Sequence, residues 1–190
     1  MRIDSMDSLD DWKKYETTLK ETSKSEPVSG EVSYMTELTI PAYNFDRVVH
    51  EYAKPYHLEK IPASNDALVQ QGDHYYFIEF KSGNLAGGQK IAEVKRKIYD
   101  SLLIFNDIIG ETISFTRAHM SYVLVYDPIK NQKPLADIIK VMGALAKRPA
   151  DLFGLRGQFR GVYFNEVYTL STDELEEKII SSFTTMKEHF

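Results

Sequence analysis

The chain has 190 residues, 43% hydrophobic and 27% charged, the composition of a globular protein long enough to fill one core. It contains no cysteine, which excludes disulfides, thiolate zinc sites, cysteine nucleophiles and thiolate-held iron–sulfur clusters. No apolar run approaches the roughly 20 residues that span a bilayer, and Met1-Arg2-Ile3-Asp4-Ser5-Met6-Asp7 lacks a signal peptide's apolar stretch, so no membrane partner and a cytoplasmic location are expected. The net charge of −5 argues at first against a polyanionic partner, but it is unevenly spread. Residues 1–80 carry 8 Lys+Arg against 15 Asp+Glu, residues 81–160 carry 13 against 7, and residues 161–190 carry 2 against 6. A basic middle between acidic ends leaves room for a local polyanion site; a solvated helix surface accounts for the same charges.

Residues 8–22 read as a helix with Leu9, Trp12, Tyr15 and Leu19 close to one face and Ser8 as its N-cap. A polar linker, residues 23–30, follows, so residues 1–30 form either a helical docking arm or a flexible end ahead of a single domain over residues 31–190. The next helix starts at Asn44, a good N-cap, and sets Phe45, Val48, Val49 and Tyr52 at core-facing spacing until Pro55 stops it. Two strands, residues 66–70 and 75–81, make a hairpin through Gln71-Gly72-Asp73-His74, with Gly72-Asp73 as the tight turn. After a glycine-rich loop at 82–88, the longest helix spans about residues 89–109, with Ile91, Val94, Ile98, Leu102, Phe105 and Ile109 as its stripe and Gly110 as its C′ residue. Residues 121–126 read as an interior strand, 134–147 as a helix opened by Pro134, and 161–168 as a last strand. Ser171 and Glu174 make a capping box for a C-terminal helix. This order gives an α/β sandwich around a mixed sheet.

The chemistry concentrates in the hairpin. Alternation puts Tyr75, Phe77, Glu79 and Lys81 on one face of the second strand, and a two-residue turn at Gly72-Asp73 sets Val69 opposite Tyr76, Leu68 opposite Phe77 and Asp66 opposite Glu79. Like charges directly opposed across a strand pair are destabilising, so something must neutralise them. Two carboxylates beside a lysine suit Mg²⁺, which prefers hard oxygen ligands and retained waters, and such an ion can polarise a phosphoryl oxygen and acidify a bound water. The bare acid-x-Lys pattern is common: it also occurs at Asp11, Glu93 and Glu176. Only the Glu79 copy lies on a strand preceded by another strand that starts with a suitably facing acid. A half-exposed strand with a weak surface pair is the competing account.

Asp66, twelve intervening residues and then Glu79-Phe80-Lys81 at the end of an apolar strand, with a helix on either side, resembles the core of the PD-(D/E)XK nuclease superfamily over roughly residues 44–126. The resemblance implies a restriction-endonuclease-like α/β/α sandwich with a central mixed β-sheet. It implies a metal-dependent nuclease acting on DNA, with Asp66, Glu79 and the Phe80 carbonyl as ligands of Mg²⁺ (or Mn²⁺) and Lys81 as the group that positions the attacking water. Asn65 stands where the family name has Pro. Members often add an acid from the preceding helix; Glu51 and Asp46 both flank its apolar stripe, and Glu51 is favoured because it is nearer the helix end that leads to the hairpin. The following helix offers Gln89, Lys90 and Lys97 for substrate phosphates, as a solvated face would also. Tyr75, on the Glu79 face, could stack on a base or be a core tyrosine. The loop at 82–88 has neither Walker nor GxGxxG order and reads as a flexible access beside the metal. The alternative to an enzyme is an inactive protein of the same fold that binds nucleic acid or protein.

Overall fold

The computed structural model describes residues 9–25, 32–131 and 153–178. Leu9–Tyr15 is a 3-10 helix that buries Trp12 and Tyr15, Glu16–Thr18 is strand β1, and Leu19–Thr22 (α1) is a single helical turn capped by Thr18. The helix expected over 8–22 is thus broken into three pieces. Its apolar residues serve two layers: Trp12 and Tyr15 join the core on one face of the sheet, Leu19 the core on the other. The segment expected as an arm or loose end is, from Leu9 to Ser25, an edge of the main fold. Lys24–Ser25 (β2) and Ser33–Tyr34 (β3) form a small two-stranded sheet where a linker was expected.

Pro41–Asn44 (β4) was not foreseen; Asn44 then caps Phe45–Ala53 (α2) as expected, its side chain accepting from the Arg47 N–H at 3.0 Å. Lys54–Tyr56 is a short 3-10 turn containing Pro55. Ala67–Gln71 (β5) and His74–Lys81 (β6) form the expected hairpin in the expected register, Leu68 opposite Phe77 and Val69 opposite Tyr76. Gly72, at φ 58°, takes the first turn position, where a side chain would be strained.

Gly88–Ile109 (α3) follows, closed by Gly110 in the left-handed region, then Ile113–His119 (α4) and Met120–Tyr126 (β7). Strand β7 is parallel to its neighbours on both sides, and its first six residues are buried, the burial expected of an interior strand. The helix expected over 134–147 lies outside the described residues. Leu155–Phe159 (α5) precedes a turn at 160–164, so the last strand, Glu166–Ser171 (β8), starts later than the 161–168 expected. Ser171 and Glu174 cap the helical residues 172–178 reciprocally: the Ser171 N–H donates to Glu174 at 2.7 Å and the Glu174 N–H to Ser171 at 3.2 Å.

The six-stranded sheet runs β1-β4-β5-β6-β7-β8, antiparallel through β6 and parallel beyond it. The result is a mixed α/β fold. One face packs Phe77, Tyr122 and Leu124 against α2, α3 and α5; the other packs Ile78, Val123 and Val125 against α1 and Leu175. No described helix is long and apolar enough to cross a membrane.

Candidate active site

Strand alternation sends Glu79 to the face that carries α3, continuing the line of Tyr75 and Phe77 into the core, and its side chain is 0% exposed. A fully buried carboxylate must be compensated. Three side chains supply the setting. Asp66, one residue before β5, reaches Phe80 across the hairpin: its Oδ2 accepts the Phe80 N–H at 2.7 Å. Lys97, from the third turn of α3, donates to Asp66 Oδ1 at 3.1 Å and to Glu79 Oε2 at 3.0 Å. Lys81 brings its Nζ to 2.6 Å from Glu79 Oε1, which is also 2.8 Å from Lys97. That buried oxygen therefore faces two ammonium groups.

Segment 63–66 is held against α3 by its backbone. The Ala63 N–H donates to Asp100 Oδ2 at 3.0 Å and the Asn65 N–H to Ser101 Oγ at 2.8 Å, while Ser64 donates to Asp46. Lys97, Asp100 and Ser101 sit at i, i+3 and i+4 beside the apolar stripe, and that polar patch is the signal from which this anchoring role could have been read. Tyr122 lies beneath the carboxylates. Its hydroxyl is buried without a partner, and burial together with the charges of Glu79 and Asp66 raises its pKa well above the ordinary value.

Burial, then the neighbouring Asp66 charge, raise the Glu79 carboxyl from an ordinary 4.5 to about 7, against the pull of Lys97 and Lys81. Burial also raises Asp66, opposed by Lys97 and the Phe80 N–H. Burial alone would lower the Lys97 pKa; the charges of Asp66 and Glu79 overturn that and raise it. Shifts of this kind occur in catalytic sites and also in structural ion-pair networks.

Of the residues singled out in the sequence, Asp66, Glu79, Lys81 and Lys97 come together. The acid of the preceding helix whose charge acts on them is Asp46 rather than Glu51. Asn44 pairs with Ala67 and the Phe45 N–H donates to the Asp66 carbonyl at 3.2 Å, so the first turn of α2, not its last, adjoins the site, and the charge of Asp46 is felt at both Asp66 and Lys97. Glu51 is paired on the surface with Lys54 at 2.6 Å. Gln89 is exposed, and Lys90 is exposed and paired with Glu93 at 3.2 Å; neither joins the cluster. Tyr75 is 9% exposed and packs on Phe105 and Phe115 with ring centroids 5.5 and 6.0 Å away, a core position closed to a stacking base. The loop at 82–88 is anchored: Asn131 accepts from the Leu85 N–H at 2.7 Å and donates to the Gly83 carbonyl at 3.0 Å, and Lys130 donates to the Ser82 carbonyl at 2.8 Å.

The donor set fits a divalent cation in kind. Asp66, just ahead of β5, and Glu79 on β6 supply hard oxygens, and because a strand residue sends its N–H and C=O to the same side, the Phe80 carbonyl opens toward the Asp66 edge that its N–H already meets. Among the described residues no three Asp, Glu, His or Cys side chains form a ligand group, so this set rests on two carboxylates and a main-chain oxygen. A cavity of about 590 Å³ lies on the opposite face of the sheet, lined by Leu19, Val69, Ile78, Val123 and Leu170 and by no acid, and is separate from this chemistry. No protein-family model matches the chain, and neither a curated protein nor a solved structure matches it.

Proposed function

We propose that the protein is a metal-dependent nuclease of the PD-(D/E)XK type with a restriction-endonuclease-like sandwich, hydrolysing phosphodiester bonds of DNA. The observation that carries this reading is the hairpin register, which gathers Asp66, Glu79 and Lys81 around a fully buried carboxylate at the edge of α3. Folding alone gains little from such a cluster, since apolar residues of similar volume usually serve stability as well or better. Asp66, Glu79 and the Phe80 carbonyl would hold Mg²⁺ or Mn²⁺. A bound ion of this kind supplies Lewis acidity toward a phosphoryl oxygen and a water acidified for attack.

The chain's own residues do the rest. The Phe80 N–H fixes Asp66 through Oδ2 and leaves Oδ1 directed at Glu79 and Lys97. The Lys81 side chain is 26% exposed while its ammonium rests on Glu79, so it can meet a water or phosphate oxygen from solvent and orient the water opposite the leaving oxygen. Lys97, 24% exposed, is the second cation available to a phosphate.

Asp66→Ala, Glu79→Ala and Lys81→Ala are each expected to abolish Mg²⁺-dependent cleavage of labelled DNA while the circular dichroism of the folded state is retained. Undiminished cleavage by all three variants would overturn the assignment. One observation favours a second reading. Lys97 bridges both carboxylates, and with Lys81 it balances their charge without a metal. In that reading the protein binds nucleic acid or protein without turning substrate over, and the wild type retains labelled DNA or RNA but cleaves neither with Mg²⁺ or Mn²⁺.

A further inference from the structure

Both oxygens of Asp66 already have a partner. Its Oδ2 is taken by the Phe80 N–H at 2.7 Å, and its Oδ1 is the atom that Lys97 holds at 3.1 Å. The same ammonium lies 2.8 and 3.0 Å from the two oxygens of Glu79, so it sits between the carboxylates where an ion sharing them would sit. Magnesium requires oxygens at about 2.0–2.1 Å. An ion that close to Asp66 Oδ1 and Glu79 cannot share the space with an ammonium at those distances. Charge makes the same demand: Asp66, Glu79 and the nearby Asp46 face Lys81 and Lys97, and a divalent ion added to the intact cluster would turn a net charge of −1 into +1 in a buried setting. The Lys97 side chain is 24% exposed, so its flexible stem has a way out toward solvent, where a phosphate is the anion that would receive it.

We infer that Lys97 is an internal counter-ion that competes with the metal for Asp66 Oδ1 and Glu79, and that nucleic-acid phosphate draws it off, so that metal and nucleic acid bind cooperatively. This rests on the metal-site reading above and adds the order in which the site assembles: the chain alone holds the ion weakly, and the pair of ligands completes it. Coupling of this kind is reciprocal and commonly amounts to 5–150-fold.

Mn²⁺ binding to the whole chain, followed by the loss of the free-ion EPR signal, tests the inference. It is measured with and without a short phosphorothioate DNA duplex, with the duplex alone as the blank. The wild type is expected to bind Mn²⁺ about tenfold or more tightly when the duplex is present. Lys97→Met is expected to bind Mn²⁺ more tightly than the wild type in the absence of DNA and to lose most of the enhancement, and Lys97→Gln to fall between the two. Equal Mn²⁺ affinity of the wild type with and without duplex overturns the inference while leaving the metal site standing, and this arm needs no variant to fold. Absence of Mn²⁺ binding by every form in both conditions overturns the metal site itself, and the inference with it.

Discussion

Glu79 shows what a single buried acid does to the molecule's pH response. Its folded-state pKa is raised from 4.5 to about 7, so between those values the unfolded chain has released a proton that the folded chain keeps. Stability contributed by the protonated group is present in full below 4.5 and is lost as pH rises through about 7; the raised pKa of Asp66 acts in the same direction. Other carboxylates titrate in this range, so the measurement is the urea midpoint of the wild type relative to Glu79→Gln without metal. That difference is expected to move against the wild type as pH rises across the window; a difference that moves in its favour would show the carboxylate to be stabilised by Lys81 and Lys97. At this scale the sequence was legible where spacing sufficed. Asp66, Glu79 and Lys81 follow from alternation and a two-residue turn, whereas the choice of Asp46 over Glu51 depends on Asn44 pairing with Ala67, a contact between separate elements that no helical wheel contains.

At the scale of elements, α3 does more than cover the sheet. It supplies Lys97 to the carboxylates, and it fixes the strand entrance through Asp100 and Ser101, which accept the N–H groups of Ala63 and Asn65. Ser101 is fully buried, so Ser101→Ala leaves the buried Asn65 N–H without an acceptor. The expected loss is about 1–3 kcal/mol of stability by urea unfolding. An unchanged midpoint would mean that water replaces the serine. Elements with one clear period were readable: α3 with its long stripe and closing Gly110, and the hairpin with its alternation. The N-terminal segment was not, because Trp12, Tyr15 and Leu19 mimic a helical stripe while going to opposite sides of the sheet edge, a pattern made by the chain running through the edge strand β1 beside β4. The last strand was misplaced for a related reason: Val162, apolar and 49% exposed, lies in the turn after Arg160 and not in a strand.

Across the whole molecule, the sheet divides into a half closed by a two-residue turn and a half whose pairing of β6 with β7 must wait for residues 82–119. Local contacts form ahead of distant ones because less chain entropy is lost in closing them. The hairpin is therefore expected to bring Asp66 and Glu79 together before α3 delivers Lys97, leaving two like charges facing each other with only Lys81 nearby. Removing one of the two charges relieves the repulsion, so metal-free Glu79→Gln is expected to refold faster than the wild type at about pH 7 in stopped-flow mixing. Equal rates for the two proteins would place the arrival of α3 before the hairpin closes. On this expectation the two-residue turn at Gly72-Asp73 acts on time as well as on register, because an early hairpin leaves the two acids waiting for their second counter-ion.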